Sequence, residues 1–537
     1  MWLERNREWL IPVLLATGVA LLYLGAPAGG SFSWSDAPRH ALNGVFVKDL
    51  FSAAPFSDPA GFAYSYYAQY PALTILLYPP LLYFISAPFY ALFGVSESTA
   101  LLVVGLHYIA FACGSWKLFR FWLPPWQAAA AAAMLAIAPE IAFWGRQVML
   151  EIPAFAFMVW SAVFFTRYRR ELRPLFLYVA AFLLVLAMYT KLTACFLAPV
   201  YAATLIGERK TLAIRDRHTW IVLLLSIVSL IPLFFITVKF GQANVQSVTG
   251  IADAVASRKT FAGWIWYAQQ FPAQLGWPLV AVCLLAAMAA ALKKTMGGMS
   301  RQDFLFWLFW LIAGYLFFSA VDLKEARHSV FLLPPLVLAS ALFLARLPVP
   351  WFSAIALALL TLAVVIETVM FRPVFYVRGY AEAAEFIAKA APQDSKILFS
   401  GYRDGSFVFN MRGREDRRDL SVIRADKLLL SVAVRRELGV GQKDLSEIEI
   451  SDLINQLGVQ YVVAQPGFWN DLEIMQRFER VLASSQFKEV ARISTPANYN
   501  AHEKELVIYR NEGPVNKGPV RLQLDLPIIG RTIKAEQ

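Results

Sequence analysis

Cysteine and charge are both scarce in this chain of 537 residues. The three cysteines, Cys113, Cys195 and Cys283, all lie in apolar stretches, so the sequence indicates no disulfide framework. Charged residues make up 16% of the chain and hydrophobic residues 58%, and the mean hydropathy is +0.51. A soluble protein needs a more polar surface than this composition supplies. We therefore expect lipid rather than water to surround much of the chain.

Apolar runs of about twenty residues recur from Leu10 to Met370, and each is long enough to cross a bilayer as a helix. They stop after Phe371, which places a membrane domain at residues 1–371. We predict a polytopic α-helical membrane protein with about eleven transmembrane helices. The predicted spans are residues 9–28, 99–119, 124–143, 152–168, 174–190, 194–207, 219–239, 272–292, 302–320, 329–346 and 351–371.

Basic residues of the membrane part occur in every second loop, as at Arg5 and Arg7 and again at Arg167 and Arg169. The positive-inside rule puts these loops, and with them the N-terminus, in the cytoplasm. With an odd number of spans, the chain after Phe371 lies on the outer side. The net charge of +11 is then a topology signal rather than an indication of nucleic-acid binding.

Residues 29–97 form an unusually long outer loop under this topology. The apolar part of the loop, residues 73–93, is interrupted by Pro79, Pro80 and Pro88. Proline breaks the hydrogen-bond ladder of a helix, so we predict interfacial or re-entrant helices here rather than a further span.

The tail, residues 372–537, has nearly balanced acids and bases and is predicted to be a soluble α/β domain. It has no Gly-rich dinucleotide fingerprint, P-loop or H-E-x-x-H motif, so we expect no nucleotide cofactor there. Its apolar patterns predict helices over 381–390 and 446–457 and strands over 396–400, 461–464 and 506–509.

Ionisable residues near a membrane core are costly, which makes them candidates for function. Under the predicted topology, carboxylates and cations gather on the outer side. The residues concerned are Asp36, Arg39, His40, Arg146, Glu151, Lys191, Asp322, Lys324, Glu325, Arg327 and His328.

Four short motifs within this group resemble those of the C-type glycosyltransferase (GT-C) superfamily. The resemblance covers about residues 1–345 and is nearest to bacterial relatives of protein O-mannosyltransferases and of the lipid A aminoarabinose transferase. The motifs are Asp36-Ala-Pro-Arg39-His40, Val148-Met-Leu-Glu151-Ile-Pro153, Tyr189-Thr-Lys191 and Ala326-Arg327-His328-Ser-Val-Phe-Leu-Leu-Pro334.

The resemblance implies a polyprenyl-phosphate-dependent hexosyl- or pentosyltransferase in a bacterial inner membrane. Such an enzyme passes a sugar, with inversion, to a lipid, glycan or protein acceptor at the periplasmic face. Asp36 would then be the catalytic base, and Lys191 and Arg327 would bind the donor phosphate. The residues expected to support them are Glu151, Arg39, His40 and His328.

Members of the superfamily frequently carry a second acid directly after the first-loop aspartate. This chain has Ala37 there, which weakens any proposal that a paired carboxylate binds a metal ion. We expect no metal and no other cofactor. We also expect the periplasmic tail to contain no catalytic residue, so that Asp404→Asn leaves turnover largely intact.

Structural interpretations of the same residues stay open at this point. Asp36 could be a helix N-cap, Glu151 a helix-start acid, and Lys191 and Arg327 interfacial anchors. Two other functions also keep a lipid-linked substrate: a glycan transporter or flippase, and an O-antigen polymerase or ligase. The clear internal repeats expected of a transporter are not evident in the sequence.

Overall fold

Helices build the first 371 residues of the fold, and a mixed sheet with flanking helices builds the tail. The structure is a computed structural model that describes residues 2–241, 256–293, 299–432, 436, 439–516, 518, 521–526 and 531–536. The helices described before the tail are α1 (Trp2–Tyr23), α2 (Asp36–Ala53), α3 (Pro59–Gln69), α4 (Leu81–Phe93), α5 (Glu97–Phe119), α6 (Pro125–Ile137), α7 (Pro139–Gly145), α8 (Glu151–Glu171), α9 (Pro174–Thr190), α10 (Leu197–Arg209), α11 (Thr211–Arg215), α12 (Arg217–Phe240), α13 (Phe261–Leu275), α14 (Trp277–Lys293), α15 (Arg301–Ser319), α16 (Leu333–Ala345) and α17 (Pro350–Phe371).

Five helical segments of the described chain are long and apolar enough to cross a membrane: α5, α12, α15, residues Ala326–Ala345 and α17. Each coincides with a predicted span. The bent pair of α6 and α7 is a sixth candidate if it forms one span. Other predicted spans fall on shorter apolar helices, such as the 17 residues of α9. The total of about eleven therefore stays a prediction.

The predicted span 124–143 contains a bend of 65° between α6 and α7. Ala138 adopts φ −48° and ψ 135° there, directly before Pro139. A residue that precedes proline is pushed out of the helical region, which explains the break. The predicted span 124–143 is therefore divided into two helices, and whether they form one span stays a prediction.

The long first loop contains α2, α3 and α4. With 13 residues, α4 is too short to cross the hydrocarbon core, as expected for the proline-interrupted part of the loop. It packs closely on α2 at Gly44, where an added Cβ would lie 2.9 Å from the ring of Tyr90. Glycine at this position lets the two helices approach.

The described strands of the tail form one five-stranded sheet and two separate hairpins. The five-stranded sheet has the order β2-β1-β5-β7-β6, with β1 parallel to β2 and β5, and β7 antiparallel to β5 and β6. The strands are β1 (Lys396–Ser400), β2 (Ser421–Arg424), β3 (Leu430–Val432), β4 (Val440–Gln442), β5 (Val459–Ala464), β6 (Phe487–Ser494), β7 (Glu505–Asn511), β8 (Arg521–Leu526) and β9 (Arg531–Glu536).

Helices of the tail flank this sheet. Those described are α18 (Tyr380–Ala390), α19 (Asp404–Arg412), α20 (Ala425–Leu429), α21 (Glu447–Gln456) and α22 (Glu473–Leu482). The predicted elements coincide with α18, β1, α21, β5 and β7. The strands β2, β6 and those of both hairpins were not predicted. Strands β2, β3 and β4 have only three or four residues, and β6 lacks a regular apolar alternation, whereas β8 does alternate, as Arg-Leu-Gln-Leu-Asp-Leu, and was overlooked.

The tail and the first loop share one hydrophobic core, in which Tyr83 of α4 and Phe407 of α19 are both fully buried. Arg412 of α19 donates to both carboxylate oxygens of Asp49 of α2, at 2.7 and 2.6 Å. Arg412 is 0% exposed and Asp49 4%. The tail is therefore packed directly on the first loop.

Candidate active site between the helices and the tail

Asp36 is the first residue of α2 and faces the site rather than capping the helix. The N-cap position is Ser35, whose side chain caps no backbone N–H among the described residues. An acid in the first turn still interacts favourably with the helix dipole. The structure therefore does not support the interpretation of Asp36 as the N-cap of α2.

Arg327 lies at the centre of the site and contacts three carboxylates. Its Nη2 is 3.5 Å from Oδ2 of Asp36, its Nη1 is 3.6 Å from Oε1 of Glu151, and its Nε donates to Glu325 at 2.5 Å. The side chain of Arg327 is 8% exposed. A guanidinium presents several donors in a fixed fork, so one arginine can hold three anions in place.

Two tryptophan rings hold the same guanidinium. Its central carbon lies 5.1 Å from the ring centroids of both Trp34 and Trp144, within the range of a cation–π contact. The two rings meet edge to face at 5.2 Å. These contacts fix Arg327 beside α2 in a partly desolvated position.

Lys191 and Glu151 form the second half of the site. Lys191 stands in extended backbone between α9 and a 3-10 helix, Leu192–Phe196, and its Nζ is 2.7 Å from Oε1 of Glu151. Glu151 is fully buried, and its Oε2 has no hydrogen-bond partner among the described residues. The two cations predicted to bind phosphate therefore share one buried carboxylate oxygen.

His40 packs against the Asp36 side of the site. Its Nδ1 is 2.8 Å from the hydroxyl of Tyr83, and its ring meets Tyr78 edge to face at 4.7 Å. Burial lowers the pKa of His40 to about 4, so the imidazole is neutral at pH 7. It acts here as a hydrogen-bonding structural residue.

The pKa of Asp36 is lowered below its usual range. Burial alone would raise this pKa, but the interactions with His40, which is charged only at acid pH, and with the guanidinium groups of Arg327 and Arg39 more than offset burial. Tyr78 also hydrogen-bonds to Asp36. Asp36 is therefore an ionised carboxylate near neutral pH, the form that a general base requires.

Arg39 connects Asp36 to the tail. One Nη donates to the backbone oxygen of Ser35 at 2.6 Å, and the other donates to both oxygens of Asp404 at 2.9 Å. Asp404 also pairs with Arg424 at 2.6 Å. The structure thus brings a tail residue next to the predicted base.

His328 belongs to the periphery of this group, with its Nε2 3.9 Å from Glu325. Three other ionisable residues expected on this side are directed elsewhere. Arg146 donates to the backbone oxygens of Ala142 and Arg372, Lys324 donates to Ser319 O, and Asp322 pairs with Arg258. In the part of the chain that the structure describes, no three His, Cys, Asp or Glu residues are grouped as metal ligands.

Sequence reasoning missed several residues that build the site. The amide of Gln274 on α13 donates to Ala326 O at 2.6 Å and to Ser329 Oγ at 2.7 Å, and so fixes the backbone on both sides of Arg327. Trp34 and Trp144 were missed because interfacial tryptophans are common in membrane proteins. The one sequence feature that could have indicated Trp34 and Trp144 as site residues is that they lie close to Asp36 and Arg146 in the chain.

Sequence comparison gives one family match. Residues 78–236 match the family model described as dolichyl-phosphate-mannose-protein mannosyltransferase. No curated protein is similar to this chain at a significant level.

Solved structures give matches along most of the chain. ArnT from Cupriavidus metallidurans bound to undecaprenyl phosphate is 14% identical, with a TM-score of 0.61 over 94% of this chain and 99% of that one. Its apo state, also 14% identical, has a TM-score of 0.56 over the same shares of the two chains. The apo oligosaccharyltransferase of Archaeoglobus fulgidus is 12% identical, with a TM-score of 0.57 over 94% of this chain and 76% of that one. Together with the family match, these structures confirm the resemblance to the C-type glycosyltransferase superfamily.

Proposed function

We propose that this chain, which has the fold of the C-type glycosyltransferases, moves a sugar from a polyprenyl-phosphate carrier to an acceptor hydroxyl with inversion. The acceptor would be a lipid, a glycan or a protein, and the reaction would occur at the periplasmic face of a bacterial inner membrane. The observation that carries the proposal is the contact of one arginine, Arg327, with both Asp36 and Glu151. A base and a phosphate-binding cation are thereby held in one cluster.

The proposed reaction is a single displacement at the anomeric carbon. The acceptor oxygen forms the new bond to this carbon while the bond from the carbon to the phosphate oxygen breaks. Asp36 accepts the acceptor proton, and the electron pair of the broken bond leaves with polyprenyl phosphate. Lys191 and Arg327 stabilise the negative charge that develops on that phosphate.

The shared carboxylate of Glu151 prepares these two cations for the phosphate. With Lys191 at 2.7 Å and Arg327 at 3.6 Å, Glu151 pairs with both cations. A phosphate that contacts both cations would take over part of this pairing. Because Lys191 and Arg327 are mostly removed from water, each of their contacts is stronger than the same contact at an exposed position. The structural similarity to ArnT, which was crystallised with undecaprenyl phosphate bound, supports a carrier of this class.

The test is sugar transfer by the purified full-length chain from a polyprenyl-phosphate donor, compared with Asp36→Asn. Asn keeps the size of the side chain but accepts no proton, so transfer should fall by a factor on the order of 10²–10⁴. Donor binding and the melting temperature should stay nearly unchanged.

The matched control is Asp58→Asn, in the same loop, where the Asp58 side chain caps α3 by accepting from Gly61 N at 2.8 Å. This variant should retain full transfer. Normal turnover by Asp36→Asn would remove Asp36 as the base. Movement of the intact lipid-linked sugar across vesicles without bond cleavage would favour the transporter interpretation.

A further inference from the structure

The loop that follows β1 of the tail lies against the segment that contains Asp36. This loop is fastened to the neighbouring strand β5, because Gln465 N donates to Ser400 O at 2.7 Å and the Gln465 side chain accepts from Tyr402 N at 3.2 Å. Both contacts sit at the carboxyl ends of parallel strands. In open α/β sheets, that edge is where functional groups are presented.

Arg403, in this loop, holds the segment before α2. Its guanidinium donates to the backbone oxygen of Ser33, three residues before Asp36. The same guanidinium is fixed by Glu503, which is 3% exposed, and by the hydroxyl of Tyr499. The donor to Ser33 is therefore itself held rigidly by the tail.

Asp404, the next residue, holds the other side of Asp36. It receives both hydrogen bonds from one Nη of Arg39, whose other Nη donates to Ser35 O. Asp404 is oriented in turn by Arg424, which is bound to Asp426 at 2.6 Å. Two successive tail residues thus fix the backbone immediately before Asp36 and the side chain three residues after it.

The first turn of α19, which follows the loop, also packs closely on α2. A Cβ added at Gly405 would lie 3.0 Å from Pro38 and 3.5 Å from Arg39. At the far end of the same segment, Gly30 N and Ser31 N both donate to Glu97 at 2.8 Å. The segment 30–39 is therefore held by the tail on one side and by the start of α5 on the other.

From this juxtaposition we propose that Arg403 and Asp404 are positioning residues for the transfer reaction, which hold Asp36 in reach of the acceptor hydroxyl. The proposal rests on the proposed function of Asp36. It replaces the sequence-based expectation that Asp404 is dispensable. Small displacements of a catalytic group lower the rate of the chemical step strongly, whereas donor contacts made by other residues persist. The expected signature is a loss of kcat with little change in donor KM.

The experiment compares Asp404→Asn with Asp419→Asn in the purified full-length chain. Asp419 is a matched control because it also binds an arginine through two hydrogen bonds, Arg417 at 3.0 and 2.9 Å, with 17% exposure. Arg417 otherwise donates only within the tail, to Ala388, Ala391 and Pro392 among the described residues. Loss of the ion pair between Asp419 and Arg417 therefore shows what the loss of an ion pair within the tail does by itself.

For Asp404→Asn we expect kcat to fall about 10- to 100-fold while donor KM changes less than about threefold. Backbone amides of residues 33–39 should exchange hydrogen about tenfold faster, because their anchor is lost. Asp419→Asn should change neither quantity. An unchanged kcat with unchanged exchange would overturn the proposal, and so would a raised KM with normal kcat.

Two further arms keep the proposal testable. If Asp404→Asn fails to fold, Arg39→Lys is tested instead, because it keeps the positive charge but loses the two hydrogen bonds to Asp404. It should show the same loss of kcat. A normal kcat in Arg39→Lys would overturn the proposal. If the unmodified chain transfers no sugar from any polyprenyl-phosphate donor, the proposed function fails. Hydrogen exchange of residues 33–39 in Asp404→Asn would then show by itself whether Asp404 holds this segment in place.

Discussion

Arg327 and Asp36 face each other at 3.5 Å, so that the predicted phosphate ligand also fixes the predicted base. The arginine comes from the segment before α16 and the aspartate from the start of α2, nearly three hundred residues earlier in the chain. Their pairing means that a phosphate bound at Arg327 would change the electrostatic surroundings of Asp36. Under the proposed function, this contact would keep the base close to the phosphate-binding arginine.

Removing Lys191 should weaken both donor binding and the fold. Lys191→Ala removes the closest partner of the buried Glu151. An uncompensated buried charge lowers the free energy of unfolding by roughly 3–5 kcal/mol. The loss should be smaller here because Arg327 still contacts Glu151. We expect a raised donor KM and a lowered melting temperature. Steady-state transfer and thermal unfolding in detergent measure the two effects.

The double variant Lys191→Ala/Glu151→Gln separates these effects. It should recover most of the melting temperature without recovering donor affinity, because the buried charge is gone but the cation is still missing. Lys117→Ala is the matched control, since Lys117 pairs with Glu8 at 2.9 Å in an exposed position. Normal donor KM in both Lys191 variants would leave Lys191 as a structural anchor only.

Transfer should be nearly independent of pH between about 5 and 8 as far as Asp36 and His40 are concerned. The pKa of Asp36 is lowered, so the base loses its proton-accepting form only at acid pH. The pKa of His40 is about 4, so its charge also changes only there. A pH–rate profile of kcat/KM tests this, and an acid limb near pH 6.5 that disappears in His40→Gln would contradict it.

Thermal stability should fall as the pH is lowered from 6.5 toward 4. In that range the unfolded chain protonates His40 at its ordinary pKa of 6.5, while the folded chain keeps it neutral down to about 4. The unfolded state then binds more protons, so stability rises with pH across this range. Melting curves of the unmodified chain and His40→Gln should differ in this slope.

The ion pair between Arg412 and Asp49 should hold the tail on the first loop. Asp49→Asn leaves Arg412, which is 0% exposed, without its main counter-charge, and such losses cost roughly 3–5 kcal/mol. We expect faster proteolysis within residues 372–379 and a lower melting temperature. Asp416→Asn, which breaks an exposed pair with Arg414, should change neither; equal behaviour of the two variants would argue against a docking role.

The tail and the first loop should be accessible from the same side of the membrane. Phe56, 81% exposed, and Asp444, whose side chain is 98% exposed, are suitable positions for single cysteines. A membrane-impermeant thiol reagent should label both or neither in intact spheroplasts. Labelling of one alone would contradict the shared core of loop and tail.

The outer side is the side that the positive-inside rule predicts for both, so labelling of both is the expected result. An alkaline phosphatase fused after residue 375 should likewise be active. An inactive fusion would place the tail in the cytoplasm and would remove the periplasmic reaction site.

The sequence was most informative where a pattern is local. Apolar runs predicted α5, α12, α15 and α17, because hydrocarbon thickness sets the length of such helices. Motif order placed Asp36 and Arg327 on the same side of the membrane, and in the structure they lie 3.5 Å apart, although the roles of these residues stay predictions. Local pattern and side of the membrane were sufficient for both.

Contacts between distant parts of the chain were not predictable in this way. Nothing in the sequence Tyr402-Arg-Asp-Gly405 indicates that Ser33 or Arg39 would be partners. Such features depend on packing between elements, which one-dimensional patterns do not record.

The hydrogen bonds between Arg39 and Asp404 join residues 365 positions apart, which has a consequence for biosynthesis. A chain emerging from the ribosome acquires its N-terminal parts first. All the helices that carry Asp36, Lys191 and Arg327 are therefore made and inserted before the residues that brace Asp36 exist. A chain that ends before residue 404 lacks these hydrogen bonds, so this part of the site is complete only after the tail has been synthesised and has packed on the first loop.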